Sequence, residues 1–131
     1  MRVRGRPASL SALNRYLRDY WAEHQLPERL LGVFELALEE LFINVCTHGS
    51  RSVDDLEVDV QLAHVDGEVT LEMTDNAPPF DPAKAAAPAL AAPIEDRPVG
   101  GLGLHLVRHS MDRFEYRFHN HCNSILLGHR L

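Results

Sequence analysis

The sequence predicts an α+β fold, with helices packed on one face of a mixed, largely antiparallel sheet. Three observations predict it. Apolar residues recur every three to four positions through the N-terminal part, and two later pairs of short segments read as strands. Between those pairs lies a stretch crowded with Ala, Pro and Gly that leads into a further helical pattern. The order helix, helix, strand, strand, loop, helix, strand, strand groups the two element types, as two-layer α+β domains do.

The first helix is expected from about Ser9 to His24, where Leu10, Leu13, Leu17 and Trp21 share one face and Pro27 then interrupts the pattern. The second runs from about Glu28 to His48, with Leu31, Phe34, Leu38, Leu41 and Val45 toward the core and Gly49 as its C-terminal stop. Residues 56–65 and 68–75 alternate as strands, and Asp66-Gly67 between them is a strong hairpin signal. Residues 76–101, NAPPFDPAKAAAPALAAPIEDRPVGG, read as a mobile loop with room for a short helical turn, because long loops in compact domains are usually lids or disorder. A helix entered through Gly100, Gly101 and Gly103 follows to about Asp112, and strands near 113–119 and 124–131 close the chain. No internal repeat is visible, and 131 residues suit a single domain, 1–131, with one core.

The charge balance narrows the partners. Thirteen basic against 19 acidic residues give a net charge of -6, which repels nucleic-acid backbones and argues against direct DNA or RNA binding. No apolar run is long enough to cross a bilayer, and the basic start is not followed by the apolar core of a secretory signal. Cys46 and Cys122 are therefore expected as reduced thiols of a cytoplasmic protein.

Three segments carry chemistry. In ELALEELFINVCTHG, Glu40 and Asn44 stand four apart on the second helix, within roughly 40° of one another, while Glu39 points about 100° from Glu40. A polar helix edge has the same pattern, so the pair is weak by itself. In MTDNAPPF, Asp75 ends a strand, where its carboxylate can accept a hydrogen bond from an exocyclic amine or form an ordinary Asx turn. In GGLGLHLV, a glycine-rich loop meets a helix N-terminus, whose free N–H groups and dipole suit phosphate oxygens, although a plain helix entry looks alike.

Taken in this order, the segments resemble the N box and the two glycine boxes of the histidine-kinase-like ATPases, the superfamily that includes DNA gyrase and the sensor histidine kinases. Within it, LALEELFINVCTHG, DNAPPFDP and GGLGLHLVRHSMDRFEY in a lone domain resemble the anti-sigma-factor serine/threonine kinases, over nearly the whole chain. The resemblance implies a two-layer sandwich of the Bergerat type, with ATP and Mg²⁺ as cofactors. Asn44 would complete the Mg²⁺ shell with its side-chain oxygen, and Glu40 would be the general base that deprotonates a partner's Ser or Thr. Asp75 would recognise the adenine amino group beside Ala77, and Gly100, Gly101, Leu102 and Gly103 would bring backbone to the phosphates. Residues 82–98 would close over the nucleotide as a lid. Lys84, Arg97 and Arg108 are candidate phosphate contacts, or equally solvated surface charge.

The resemblance further implies transfer of the γ-phosphate to an anti-sigma antagonist of the STAS type, sequestration of a sigma factor, and a homodimer. One departure bears on this. The family usually has Gly where this chain has Ala77, which would cost on the order of 1 kcal/mol if the backbone there needs a positive φ, and the methyl would crowd the base. Ala77 motivates the alternative function, a non-catalytic binding regulator that uses nucleotide only to set its conformation or has lost it. The catalytic domain of a sensor histidine kinase ranks lower, because no helix pair with a phosphoacceptor histidine precedes the domain. His105 with His109, and HNHC at 119–122, lack the companions of a zinc site and read as surface or half-buried histidines, while His48 is expected to have a local structural role such as helix capping.

Overall fold

A computed structural model describes residues 1–49, 55–82 and 101–131. Strands β1 (Arg2–Arg4), β2 (Glu57–Val65), β3 (Glu68–Asp75), β4 (Arg113–His119) and β5 (Cys122–Arg130) form one sheet in the order β1-β2-β3-β5-β4. Every pairing among the described residues is antiparallel, so the fold is α+β as expected, with a sheet that is antiparallel throughout those residues. Helices α1 (Leu10–Glu23), α2 (Glu28–Gly49) and α3 (Gly101–Ser110) supply the second layer.

The strands are half-wet, as their alternation requires. Val58 and Val60 of β2, Val69, Leu71 and Met73 of β3, and Ile125 and Leu127 of β5 are buried and share the core with helix residues. From the helices come Leu13, Leu17 and Trp21 of α1, Phe34, Leu38, Leu41 and Phe42 of α2, and Leu104 and Val107 of α3. On the opposite face, Gln61 and Glu115 are exposed and Thr70, Glu72 and Thr74 half-buried. Leu31 and Val45 pack against this core from its edge and are half-buried, while Leu30 and Cys46 also enter it.

Local signals explain most boundaries. Helix α1 ends before Pro27 is reached, in a Schellman arrangement with Gln25 in the left-handed region at φ 51°. The Leu26 N–H donates to Trp21 O at 3.0 Å and the Gln25 N–H to Ala22 O at 3.3 Å, while Leu26 and Trp21 are both buried. The Trp21 indole N–H donates to Pro27 O at 2.9 Å, which fixes the turn into α2. Asp66 and Gly67 carry φ of 53° and 76°, as a two-residue hairpin turn with both central residues left-handed requires. Asn120 and His121, at 51° and 61°, make the same turn between β4 and β5 without a glycine. Strand β5 consequently begins at Cys122, two residues before the expected start. Strand β1 was not anticipated: three residues are too short to show a period, and pairing with β2 defines them.

Candidate functional site

The predicted residues gather at two neighbouring places. The first is where the core stops on β3 and β5. The inward series Val69, Leu71, Met73 continues to Asp75, whose residue is only 6% exposed, and across the ladder stands Asn123, at 3%. A carboxylate and an amide thus occupy core positions at the end of adjacent strands.

Asn123 is the hub. Its Nδ2 donates to Asp75 Oδ1 at 2.9 Å, Ala77 O at 3.1 Å and Pro78 O at 3.0 Å. Its Oδ1 accepts from the Phe80 N–H at 3.0 Å and the Tyr116 hydroxyl at 2.6 Å. Asp75 Oδ1 also accepts from the Ala77 N–H at 3.0 Å, which is the Asx turn weighed above, here combined with a buried site. Among the described residues no hydrogen bond reaches Asp75 Oδ2. Burial pushes the Asp75 carboxyl above its usual range, and the bonds from Asn123 and Ala77 pull it part of the way back.

Asp75 and Asn123 line a pocket of about 120 Å³ together with Val45, Gly49 and Ala77. His48 and Phe80 stand at this pocket with ring centroids 4.2 Å apart and planes 22° from parallel. The local role of His48 is therefore that of an exposed stacking partner rather than a cap. Ala77 does not adopt a positive φ, so the backbone penalty considered for it does not arise. Its methyl lies 3.1 Å from where a Cβ on Gly49 would stand, so the missing side chain at 49 leaves it room.

The second place is the contact of α2 with the start of α3. A Cβ added to Gly103 would overlap the Glu40 carboxylate and come within 2.9 Å of Glu40 Cγ, so the acid lies directly against the first turn of α3. Only glycine allows that approach. The first-turn N–H groups of a helix lack intrahelical partners, which makes this turn a natural anion site. Glu40 is half-buried and its carboxyl is raised, chiefly by burial and secondarily by Glu39. One turn on, Asn44 holds its Nδ2 buried, with no hydrogen-bond partner among the described residues. An unmet buried donor costs about 1–3 kcal/mol, so such a group beside a cleft suits a ligand.

These donors fit a magnesium nucleotide. The amide oxygen of Asn44 and the carboxylate of Glu40 are hard ligands suited to Mg²⁺ held mainly through phosphate oxygens, and the amide and helix N–H groups are hydrogen-bond donors for those oxygens. Asn44 would hold the metal, the α3 turn the phosphates, and Asp75 Oδ2 an exocyclic amine.

Other candidates stand apart. Lys84, Arg97, Gly100 and the expected lid from 83 to 98 lie outside the described residues, and Gly101 and Leu102 are described only as backbone of α3. Arg108 is exposed in the last turn of α3, about 10 Å along the axis from Gly101, and is not brought to the first turn. The His105 and His109 rings meet at a tilt of 48° with centroids 4.2 Å apart, and HNHC contains the β4–β5 turn. Asn123, Tyr116 and Phe80 were missed as site residues. Only the register of the last hairpin could have signalled Asn123. A more voluminous groove, about 670 Å³, runs along α1 past Arg15, Tyr16 and Tyr20, but it contains none of the motif residues.

A family model described as the histidine kinase-like ATPase domain matches residues 3–128. The chain belongs to the histidine kinase-like ATPases. It is similar to the serine/threonine-protein kinase BtrW of Bordetella bronchiseptica, with 30% identity over 113 residues that make up 82% of this chain and 80% of the relative. No helix among the described residues is long and apolar enough to cross a membrane.

Proposed function

We propose that this chain is an ATP-dependent protein serine/threonine kinase of the cytoplasm, which phosphorylates an antagonist protein and holds a sigma factor when that antagonist is modified. The observation that carries the reading is the seating of Glu40 against Gly103, with Asn44 one turn away. The family and the named kinase relative support it.

The geometry supports a division of labour on this reading. Asp75 Oδ2 accepts from the adenine amino group, while Oδ1 is held by Asn123 and Ala77. Asn44 would hold Mg²⁺ through its side-chain oxygen, and the metal would supply neutralisation of phosphate charge. The N–H groups at the start of α3 face the transferred phosphoryl oxygens. Glu40 takes the proton of the acceptor hydroxyl as that oxygen bonds to the γ-phosphorus. The bond from this phosphorus to the β–γ bridging oxygen breaks, and ADP leaves with the electron pair. The raised carboxyl of Glu40 places the base closer to its working pH than an exposed glutamate would be.

Glu40→Gln keeps the shape and removes the base. Mg-ATP binding by calorimetry should be nearly unchanged, and transfer to a Ser/Thr substrate should fall by about 10²–10⁴-fold. Undiminished transfer would take Glu40 out of the mechanism.

Ala77 gives a second reading some support, because its buried methyl occupies part of the pocket wall. On that reading the domain binds partners without transferring phosphate. Label from γ-phosphate appearing on a protein partner would exclude it.

A further inference from the structure

The outer face of α2 carries a ridge that the nucleotide site does not explain. Helical geometry puts Gly32, Leu36, Ile43 and Thr47 within roughly 60° of one another. All four are exposed, and Leu36 and Ile43 each leave 38% of their surface in solvent. Glu40 lies at the edge of this ridge, between it and Asn44 on the cleft side. On the other flank, Glu35 is tied to Arg18 of α1 at 2.6 Å, so the ridge stands clear between α1 and α3.

Gly32 is the anomaly that gives the ridge meaning. A Cβ there would meet nothing within 4 Å, and glycine in a helix interior is unfavourable relative to alanine. Neither a turn nor a packing constraint within the chain calls for it. A surface that must let another backbone come close does.

The geometry points to this ridge as the docking surface for the phosphoacceptor protein, with a segment that flanks its Ser or Thr with aliphatic side chains and a basic one. The inference rests on the kinase reading. Gly103 of α3 already covers one side of the Glu40 carboxylate, so a macromolecule that delivers a hydroxyl to it must lie across the neighbouring solvent face, which is Leu36 and Ile43. Glu39, exposed and without an ion pair among the described residues, adjoins the base and favours a Lys or Arg in the segment. Arg29, about 16 Å back along the helix, begins the ridge with the opposite charge.

The test uses arrayed Ser- and Thr-centred peptides, Mg-ATP labelled at the γ-phosphate, and the intact chain. Peptides with Leu, Ile or Val near the acceptor and a Lys or Arg should label at least about tenfold more than alanine-flanked ones, since each apolar contact can contribute more than that factor. Leu36→Ser with Ile43→Ser should bring both sets to the same level while calorimetry shows unchanged Mg-ATP binding. Gly32→Ala should raise the folded-to-unfolded ratio about two- to fivefold and yet reduce labelling of the aliphatic set. A preference that survives the double substitution overturns the docking surface and leaves the kinase reading standing. Mg-ATP binding without labelling of any peptide by the unaltered chain overturns both.

Discussion

The two ends of the cleft differ in how fully their polar groups are satisfied. At the Asp75 end, one buried amide shares its two N–H hydrogens among three acceptors and accepts from two donors, which ties together both strands, the loop after β3 and Tyr116. At the Glu40 end, Asn44 holds a buried donor without a partner among the described residues, and Glu40 is a partly desolvated acid against a glycine. On the proposed kinase reading, the contrast separates two tasks. Recognition of a base needs a fixed carboxylate, which the Asn123 network supplies; chemistry at phosphate needs groups whose valences the fold leaves unmet. Stability should therefore reside mainly at the first end and reactivity at the second.

Substitutions at the two ends can break that division. Asn123→Ala strands several buried groups at once and should destabilise the domain by about 3 kcal/mol in urea unfolding. A loss no greater than that of an exposed substitution would mean the network contributes little. Gly103→Ala should do the reverse: stability should change by less than about 1 kcal/mol, while its Cβ displaces the Glu40 carboxylate and slows transfer by at least about tenfold. Equal effects on stability and rate would erase the contrast.

A subtler distinction lies in pH dependence. Burial raises Asp75 in the folded state above its ordinary 3.8, so the folded protein holds its proton more tightly than the unfolded chain. That contribution is fully present below about pH 3.8 and is lost as pH rises through the higher folded value, so stability falls across this window. Glu40 is raised in the same direction from 4.5. Asp75→Asn should remove the Asp75 share of the slope, seen by comparing urea midpoints of the variant and the parent from pH 3.5 to 7. An unaltered slope would show that Asp75 is not held in the way described.

The fold and the site were legible to different depths. Helices α1 and α2 were readable because their apolar stripes are long, and the β2–β3 hairpin because Asp-Gly marks its turn. The β4–β5 turn was less so, since Asn120-His121 adopts left-handed geometry without glycine. Glu40 and Asn44 could be paired from helical spacing alone. Their seating against Gly103 depends on how α2 packs on α3, which no local pattern encodes. Asn123 was invisible for a similar reason: it meets Asp75 through strand register, 48 residues away. Ala77 shows the converse, a departure with a foreseeable penalty that the actual backbone does not incur.

The central claim is that Asn44 completes a magnesium site facing the α3 turn. Calorimetric titration of ATP with and without Mg²⁺, in the parent and in Asn44→Ala, tests it without relying on catalysis. Magnesium should strengthen ATP binding to the parent by at least about tenfold and make little difference to the variant. The same magnesium dependence in both proteins would contradict the assignment.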